Sequence, residues 1–301
     1  MRLKVLVTGS QGFVGRHVVG YLASHGFETV TTDVSSGADV VGSMVDAAFV
    51  RETLSRLDFD AVVHLAGIAD LKKTMDDPYT CFQVNSFATL NALEMAARKE
   101  VKRFVYASSA NVYGVPTKNP VFEESPMDPR VPYDYSKVVG ENLAMSYLRT
   151  KGVPVSITRA WLLFGEYDHP NRAVPIFIRK CLRGEPIGLF NSGQDVTAPS
   201  HAENYGRLVA VILEKEAAVG KAFNFAGTEV QSIRDMAERI KGLTRSSSEL
   251  QMLPPRSAAE AQPQVSYPAT ARMKKVLDYQ YELSLDEGLR RTIEWVRNQP
   301  G

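Results

Sequence analysis

The stretch from Thr8 to Gly15 constrains the fold of this chain more than any other. It follows a short apolar run, Leu3 to Val7, that is typical of a buried strand, and it opens an amphipathic helical pattern beginning at Phe13. Its three glycines permit a tight turn and a close approach of the backbone to a ligand, and the N-terminus of a helix presents free N–H groups to a phosphate. The stretch therefore predicts a strand, a glycine turn and a helix that bind the pyrophosphate of a dinucleotide.

An acidic residue, Asp33, closes the second apolar run, Glu28 to Thr32. In dinucleotide-binding folds a carboxylate about 20 residues after the glycine turn accepts hydrogen bonds from the ribose hydroxyls. The same carboxylate would repel the 2′-phosphate of NADP, and no arginine follows within the next several residues to bind one. The sequence therefore predicts NAD as the cofactor. The alternative interpretation is a glycine-rich turn between two core elements that binds nothing.

Composition and charge exclude several classes of partner. Hydrophobic residues make up 44% of the chain and charged residues 23%, as in an ordinary globular protein. The net charge is +1 without long runs of one sign, so neither nucleic acid nor a membrane surface is an expected partner. No signal peptide or membrane span is recognisable, and Cys81 and Cys181 lack metal-binding spacing and are expected to be buried thiols. We expect a cytoplasmic protein without a metal site.

Apolar runs alternate with helical patterns through the first half of the chain, which predicts a parallel sheet covered by helices on both faces. After about residue 165 the elements become shorter and Pro and Gly more frequent, so we expect a smaller C-terminal part. The predicted fold class is α/β, a Rossmann-type doubly wound parallel sheet with a smaller C-terminal α/β substrate-binding cap. The predicted strands are 3–8, 27–33, 60–65, 101–108, 154–160 and 222–225, and the predicted helices are 13–25, 46–57, 80–98, 133–150, 174–183, 201–216, 231–242 and 284–298.

The same pattern suggests how the chain divides. We assign residues 1–165, with returning segments near 198–228, to an NAD-binding domain. Residues 166–197 and 229–301 are assigned to the cap, and residues 244–268, rich in Ser and Pro, are expected to form a surface excursion. Because ligands of doubly wound sheets bind at the carboxyl ends of the strands, the cap would close over a second substrate there.

Candidate catalytic side chains lie at this carboxyl edge. The fourth predicted strand ends with Ser108 and Ser109, and Tyr133 and Lys137 share a helical face because they are four residues apart. An ammonium beside the phenol, together with the positive nicotinamide ring, would lower the phenol's pKa from its reference near 10. Tyr133 could then remove the proton of a substrate hydroxyl held by Ser109 while a hydride leaves for the nicotinamide. The alternative is a surface Tyr and Lys without a catalytic role.

A histidine in the third predicted strand, His64, is a weaker candidate. It lies within the apolar run Ala61 to Leu65. Histidines in such runs are more often buried and hydrogen-bonded than catalytic. We therefore expect His64 to belong to the core.

Taken together, these motifs resemble the extended short-chain dehydrogenase/reductase family, and within it the NAD-dependent nucleotide-sugar epimerase/dehydratase branch. The resemblance extends over nearly the whole chain. The residues that carry it are Thr8 to Gly15, Asp33, His64 to Gly67, Asn85, Ser108, Ser109, Val112 to Gly114, Tyr133, Lys137, Glu141, Arg159, Phe164, Gly165, Val174 to Phe177, Gly184 to Ile187, His201 and Leu285 to Leu289.

The resemblance implies a catalytic set of Ser109, Tyr133 and Lys137. It also implies a homodimer formed through the helices near 80–98 and 133–150. From the strand ends and the cap we expect substrate contacts by Ser108, Ser109, Asn111, Arg172 and Arg256. The residues expected around NAD are Gly9, Gln11, Gly12, Phe13, Val14, Gly15, Asp33, Ser43, Met44, Leu65, Ala66, Gly67, Asn85, Tyr133 and Lys137.

Departures from the family pattern bear on the reaction. The acidic pair that 4,6-dehydratases carry after the catalytic hydroxyl is here Ala110 and Asn111, which disfavours a dehydratase. Leu162 and Thr197 stand where members that bind a nucleotide diphosphate often have Asn and Arg, and Ser43 stands where an Asp is usual. The favoured function is an NAD-dependent epimerase of a nucleotide sugar, and the second is a dehydrogenase or reductase of a sugar or smaller hydroxy or keto substrate. A non-catalytic NAD-binding regulator is the third.

Overall fold

The structure is a computed structural model, and it describes residues 3–255 and 262–299. Strands and helices alternate from the N-terminus onward, as the sequence pattern predicts. The strands, numbered in chain order, are β1 (Lys4–Thr8), β2 (Glu28–Asp33), β3 (Val40–Val41), β4 (Ala61–His64), β5 (Arg103–Ser109), β6 (Val155–Ala160), β7 (Leu163–Phe164), β8 (Ile187–Phe190), β9 (Val196–Thr197), β10 (Ser200–His201), β11 (Ala222–Phe225), β12 (Gln231–Ser232) and β13 (Leu250–Leu253).

Seven of these strands form one sheet in the order β3, β2, β1, β4, β5, β6, β11. Every neighbouring pair in it is parallel. The chain starts in the centre of the sheet, winds to one edge and then returns past β1 to the other. This is the doubly wound arrangement, so the predicted fold class is confirmed.

Eleven α-helices connect and cover the strands within the described residues, together with short 3-10 segments and a π-helical turn. No described helix is long and apolar enough to span a membrane. The helices are α1 (Phe13–Ser24), α2 (Ala47–Glu52), α3 (Leu71–Asp76), α4 (Pro78–Phe82), α5 (Ala88–Arg98), α6 (Pro132–Lys151), α7 (Ala173–Arg183), α8 (Ala202–Glu214), α9 (Ile233–Thr244), α10 (Ala271–Leu277) and α11 (Leu285–Arg297).

Both faces of the sheet are buried, because successive strand residues point to opposite sides. On one face Val5 and Val7 pack with residues of α1, α8 and α10. On the other face Leu6 packs with residues of α2, α5 and α6. Each fully buried aliphatic side chain contributes about 1.5–3 kcal/mol, which explains why the β1 run, apolar at three successive positions, forms a central strand.

A separate hydrophobic core lies in the C-terminal part of the chain. It is built on α7, α9 and α11, with Phe177, Ile240 and Leu289 buried between them. Phe164, at the end of β7, belongs to the same cluster. The second core gives the smaller part of the molecule its own packing, which is what a cap over the sheet edge requires.

Several details of the sequence-based assignment need correction. The predicted helix 80–98 is α4 and α5 joined by a π-helical turn at Gln83–Phe87. Residues 244–268 are not only a surface excursion, because β13 pairs in parallel with β8 and extends the C-terminal core. Helix α3 was not predicted, although Asp70 marks its start by accepting a hydrogen bond from the backbone of Lys73.

Candidate active site

The glycine turn lies where β1 ends and α1 begins. Gly9 has φ +70°, and a Cβ there would lie 2.6 Å from the nitrogen of Ala66. A Cβ on Gly15 would lie 2.1 Å from the carbonyl oxygen of Gly9. Only glycine fits both positions, since one is left-handed and the other packs a helix directly on a turn. Gly12 is the N-cap of α1, and no side chain caps that helix, so its first N–H groups face outward for an anion.

Asp33 ends β2 beside this turn. Its Oδ2 accepts a hydrogen bond from the backbone nitrogen of Gln11 at 3.0 Å, and Oδ1 accepts one from Ser35 at 2.9 Å. Each carboxylate oxygen keeps a further lone pair for a ribose hydroxyl. The backbone of Gly42 bonds to Asp33 at 2.9 Å, so the next residues, Ser43 and the buried Met44, lie along the same edge, where adenine is expected.

The end of β4 closes the site opposite the turn. Leu65 donates to the carbonyl of Thr8 at 3.1 Å, and Ala66 donates to the hydroxyl of Thr8 at 3.3 Å. A Cβ on Gly67 would lie 3.0 Å from Oδ1 of Asn85 and 3.5 Å from Nζ of Lys137. Small residues are therefore required here, in keeping with backbone that lies along a cofactor.

Asn85 has a structural role at this strand end. Its Oδ1 accepts from the backbone of Ile68 at 2.7 Å, and its Nδ2 donates to the Ile68 carbonyl and to Ser136, each at 3.0 Å. Both amide hydrogens are thus used within the protein. Asn85 orients the loop after β4, and direct contact of its side chain with the cofactor stays a prediction.

The predicted catalytic side chains converge at the end of β5. Ser109, Tyr133 and Lys137 are each at most 9% exposed. The ammonium of Lys137 lies 6.0 Å from the centre of the Tyr133 ring and donates to the carbonyl of Ala107 at 2.9 Å. The hydroxyl of Ser109 accepts from the backbone of Asn111 at 3.2 Å, which leaves its own O–H free to donate to the Tyr133 phenol.

The pKa of Tyr133 departs from the simple expectation. Burial raises it above the ordinary value, whereas the hydrogen bond with Ser109 and the charge of Arg172 lower it. Burial also lowers the pKa of Lys137 to about 8. The protein alone therefore does not produce the lowered phenol pKa that we expected from Lys137. The positive charge of the nicotinamide ring is the remaining source of that lowering.

His64 is a core residue, as predicted. It is 1% exposed, and its two ring nitrogens bond to the hydroxyls of Thr8 at 2.8 Å and Thr89 at 3.2 Å. Burial lowers its pKa to about 3, so the ring is neutral. It ties β1, β4 and α5 together beneath the site.

The expected substrate residues fall into two groups. Ser108 is buried, and its hydroxyl has no hydrogen-bond partner among the described residues, so a ligand hydroxyl would satisfy it. Asn111 lies in the short 3-10 turn after β5, two residues after Ser109. Arg172 is the N-cap of α7, with its guanidinium 5.8 Å from the ring of Phe13 in the glycine turn. Arg256 lies outside the described residues.

A polar cluster that the sequence analysis did not identify lies behind the glycine turn. Glu166 accepts a hydrogen bond from Nε2 of His201 at 2.8 Å and one from Nε of Arg291 at 3.1 Å, and its carbonyl bonds to Nε2 of His17 at 2.9 Å. Its members come from α1, the loop after β7, β10 and α11. Because these positions are far apart in sequence, no local motif marks them.

This cluster has the residue types of a metal site, with ligand atoms within 4.8 Å of one another. Its hydrogen bonds argue against metal binding. Nδ1 of His201 accepts from the backbone nitrogen of Glu203 at 3.2 Å, so Nε2 carries the proton that it donates to Glu166. Nε2 of His17 also donates, to a carbonyl. Neither nitrogen offers a lone pair to a metal, and the cluster is better described as a hydrogen-bonded anchor.

Comparison with known proteins connects this geometry to a family. The sequence model of the NAD dependent epimerase/dehydratase family matches residues 5–226. The chain belongs to that family. The match spans the glycine turn, Asp33, the end of β4 and the positions of Ser109, Tyr133 and Lys137.

Individual relatives catalyse different reactions. The chain is 30% identical to UDP-glucuronic acid decarboxylase 1 of Xenopus tropicalis over 99% of its own length and 73% of the relative. It is 26% identical to a putative UDP-glucose 4-epimerase of Methanocaldococcus jannaschii, covering 98% of each chain. The resemblance implied this family, and the family is confirmed; the particular reaction is not determined by these relatives.

Solved structures show the same fold. UDP-glucose 4-epimerase of Thermotoga maritima, solved with UDP-glucose, superimposes with a TM-score of 0.90 at 26% identity, covering 98% of each chain. A dTDP-glucose 4,6-dehydratase of Streptomyces venezuelae, solved with NAD, gives a TM-score of 0.87 at 26% identity over 98% of this chain and 97% of that one. NAD is the cofactor of this family, and the glycine turn and Asp33 fit it.

Proposed function

We propose that this protein is an NAD-dependent 4-epimerase of a nucleotide sugar, acting through transient oxidation to a keto sugar. The arrangement of Ser109, Tyr133 and Lys137 at the end of β5 is the observation that carries the proposal. When bound, NAD accepts a hydride from a sugar carbon and can return it. The site residues of the chain perform the proton transfer that must accompany this exchange.

Each of the three side chains has a distinct task. The phenol of Tyr133 takes the proton of the sugar hydroxyl and gives it back after the keto sugar has turned its other face. Ser109 holds that hydroxyl within reach, since its own oxygen is fixed by the backbone of Asn111. Lys137, held by the carbonyl of Ala107, contributes positive charge and is the residue expected to hold the nicotinamide ribose.

The residues after Ser109 support epimerisation over elimination. A 4,6-dehydratase needs an acid to protonate a leaving hydroxyl and a base to remove a second proton. Ala110 offers no titratable group and Asn111 offers only an amide, so this turn cannot supply them. Oxidation and reduction at a single carbon require neither group.

A dehydrogenase or reductase is the second candidate. Leu162 packs on the C-terminal core and Thr197 pairs with Gln231 in a short strand, so neither contributes a charge for a diphosphate. A smaller hydroxy or keto substrate would not need that charge. Arg172 and Arg256 are the cations that we propose for a nucleotide diphosphate instead.

One experiment separates the two candidates. The NAD-loaded protein is incubated with UDP- and dTDP-hexoses, and the sugars and the NADH absorbance are followed together. An epimerase interconverts two sugars without net NADH, whereas stoichiometric release of NADH would show a dehydrogenase. Thermal protection by UDP or dTDP alone tests the nucleotide site independently of turnover.

We also propose a homodimer formed through α4, α5 and α6. Large apolar side chains are exposed on these helices and on the π-helical turn between α4 and α5, including Tyr79, Phe87, Tyr135 and Val139. Exposed apolar residues on adjacent helices are typical of a subunit interface. Phe87→Asp should convert the dimer to a monomer in light scattering, whereas Phe122→Asp, at another exposed phenylalanine outside this surface, should not.

The division of the chain follows from the same proposal. Residues 1–165 with segments near 198–228 would bind NAD, and residues 166–197 and 229–301 would bind the nucleotide sugar. Cys81 and Cys181 are both buried and unpaired, which fits the reducing cytoplasm in which we place the enzyme.

A further inference from the structure

A series of hydrogen bonds, which we call the buried network, connects the glycine turn to the acid–base tyrosine. Its members come from β1, β4, the π-helical turn, α5 and α6, and each is at most 8% exposed: Thr8, His64, Asn85, Thr89, Ser136 and Tyr133. Groups buried to this extent must find their hydrogen-bond partners within the protein. A direction can therefore be assigned to each bond from the protons that its two partners possess.

Thr89 sets the direction at the centre of the buried network. Its hydroxyl donates to the carbonyl oxygen of Asn85 at 2.7 Å. A hydroxyl has a single proton, so the Thr89 oxygen can only accept from Nε2 of His64, which lies 3.2 Å away. The proton between these two groups therefore belongs to Nε2 of His64.

The other ring nitrogen of His64 faces the glycine turn. Burial, together with the charge of Lys137, lowers the pKa of His64 to about 3, so the ring is neutral and Nδ1 carries no proton. Nδ1 must then accept from the hydroxyl of Thr8, which lies 2.8 Å away. The Thr8 oxygen in turn accepts from the backbone of Ala66 at 3.3 Å. The tautomer of His64 is thus specified by a neighbour on each side of the ring.

The side chain of Asn85 continues the buried network to α6. Its Nδ2 donates to the hydroxyl oxygen of Ser136 at 3.0 Å, and Ser136 donates its own proton to the carbonyl of Tyr133 at 2.6 Å. A Cβ on Gly67 would lie 3.0 Å from Oδ1 of Asn85 and 3.5 Å from Nζ of Lys137. The buried network therefore ends on the residue that carries the phenol and passes close to the lysine.

The backbone at Asn85 has an unusual conformation that serves both connections. Asn85 lies in the π-helical turn Gln83–Phe87, and such turns are rare and frequently found at functional sites. Its carbonyl accepts from Thr89, while its side chain bonds to both backbone groups of Ile68 and to Ser136. A movement of this turn would therefore displace the loop after β4 and the start of α6 together.

We propose that His64 is a positioning residue for the reaction, and that its Nε2–H tautomer fixes the acid–base tyrosine relative to the glycine turn. The inference rests on the proposed role of Tyr133. In this role His64 transfers no proton to the substrate. It supplies the one donor and the one acceptor that join Thr8 to Thr89, and Asn85 and Ser136 extend the connection to Tyr133.

The first experiment reads the tautomer of His64 in the full-length, NAD-loaded protein. Long-range proton–nitrogen correlation spectra of isotope-labelled histidine distinguish a protonated ring nitrogen from an unprotonated one, and contacts with the methyl groups of Thr8 and Thr89 assign the ring. We expect the proton on Nε2 from about pH 6 to 8. A proton on Nδ1, or a doubly protonated ring, would overturn the proposal without any measurement of turnover.

The second experiment interrupts the buried network at Thr89. Replacement of His64 itself would leave two buried hydroxyls without their partner and endanger folding, so Thr89→Val is used. Thr292→Val is the matched control, because Thr292 is also fully buried and donates to the carbonyl four residues earlier, at 2.8 Å. Hydrogen exchange of the Ile68 amide, which is bonded to Asn85, should accelerate about tenfold in Thr89→Val alone. Equal exchange in both variants would contradict the inference.

Turnover separates positioning from stability. The kcat of Thr89→Val should fall about tenfold with unchanged NAD content, because the tyrosine is displaced. Thr292→Val should lower the melting temperature and leave kcat unchanged. The double variant Thr89→Val with Ser136→Ala should lose no more than Ser136→Ala alone, since both changes reach Tyr133 through the same bonds. A normal kcat in Thr89→Val, or losses that multiply in the double variant, would refute the positioning role.

These outcomes distinguish the inference from the proposed function. Normal turnover of Tyr133→Phe would refute the base assignment and leave the tautomer of His64 and the exchange of Ile68 as expected. A proton on Nδ1 would refute the role of His64 and leave the base assignment intact. The tautomer and exchange measurements give the same answer for an epimerase and for a dehydrogenase.

Discussion

The ammonium of Lys137 lies 6.0 Å from the ring centre of Tyr133 and is bonded to the carbonyl of Ala107 at 2.9 Å. One helix thus presents both side chains to the end of β5. The backbone hydrogen bond fixes the lysine rather than the tyrosine. We propose that this phenol takes the substrate proton and that the ammonium binds the cofactor ribose.

Removal of the phenol hydroxyl tests the base assignment. Tyr133→Phe should retain NAD, as measured by cofactor content after gel filtration, and should lose turnover by about 10²–10⁴-fold. Tyr135→Phe is the matched control, because Tyr135 lies on the same helix and is 51% exposed. Near-normal turnover of Tyr133→Phe would show that another group takes the proton.

A methyl group on the glycine turn tests the cofactor cradle. Gly15→Ala places a Cβ 2.1 Å from the carbonyl oxygen of Gly9, so the turn must open and NAD binding should fall at least tenfold in a fluorescence titration. Gly20→Ala in the same helix meets nothing within 4 Å. It should bind NAD normally and gain about 0.5–1 kcal/mol of stability. Equal NAD affinity in both variants would contradict the predicted cradle.

The buried lysine should make stability depend on pH. Burial lowers the pKa of Lys137 from 10.5 to about 8. The folded state therefore releases this proton at lower pH than the unfolded state does, and the free energy of unfolding should rise between about pH 8 and 10.5. Below that window the full penalty for a buried charge is present. Urea unfolding at a series of pH values measures the rise.

The variant Lys137→Met removes the buried charge and tests the same pH dependence of stability. It should be inactive, more stable than the wild type by about 2–3 kcal/mol at neutral pH, and without the rise at alkaline pH. Lys73→Met, at an exposed lysine of α3, should change neither stability nor the pH dependence. A wild-type stability that stays flat through this window would disprove the lowered pKa.

The buried ion pair between Glu141 and Arg159 should stabilise the folded protein. Its two hydrogen bonds are 2.9 and 2.6 Å long, and both side chains are about 5% exposed. Glu141→Gln should cost about 3–5 kcal/mol of unfolding free energy, because it leaves a buried guanidinium without a counter-charge. Glu216→Gln, which removes the exposed partner of Arg103, should cost less than about 1 kcal/mol. Chemical unfolding of both variants measures the difference.

Much of the fold follows from local sequence. The apolar run at residues 3–7 and the glycines after it predicted β1 and α1 to within a residue, because a strand that is buried on both faces must be continuously apolar. The predicted strand near 60–65 matches β4 for the same reason, whereas those near 27–33 and 154–160 match β2 and β6 although both of these strands contain polar residues. The short β13 was missed, because four half-exposed residues in a Ser- and Pro-rich region give no pattern.

The convergence of the candidate catalytic side chains could also be predicted, since the i, i+4 spacing of Tyr133 and Lys137 places them on one face of the helix before any tertiary contact forms. The pKa of Tyr133 could not be predicted in this way. It depends on burial by the surrounding elements and on Arg172 at the far end of a loop, and neither is visible in a helical repeat. The spacing of two residues in a helix determines whether they share a face, whereas the pKa of a side chain depends on all of the groups that surround it.

The amino-acid sequence by itself therefore determined the fold class, the glycine turn and the NAD cofactor, because periodicity and glycine placement act over a few residues. Tertiary structure alone decided that His17, Glu166, His201 and Arg291 meet behind the glycine turn. Those contacts join α1, the β7–α7 loop, β10 and α11. Only folding brings such distant positions within hydrogen-bonding distance.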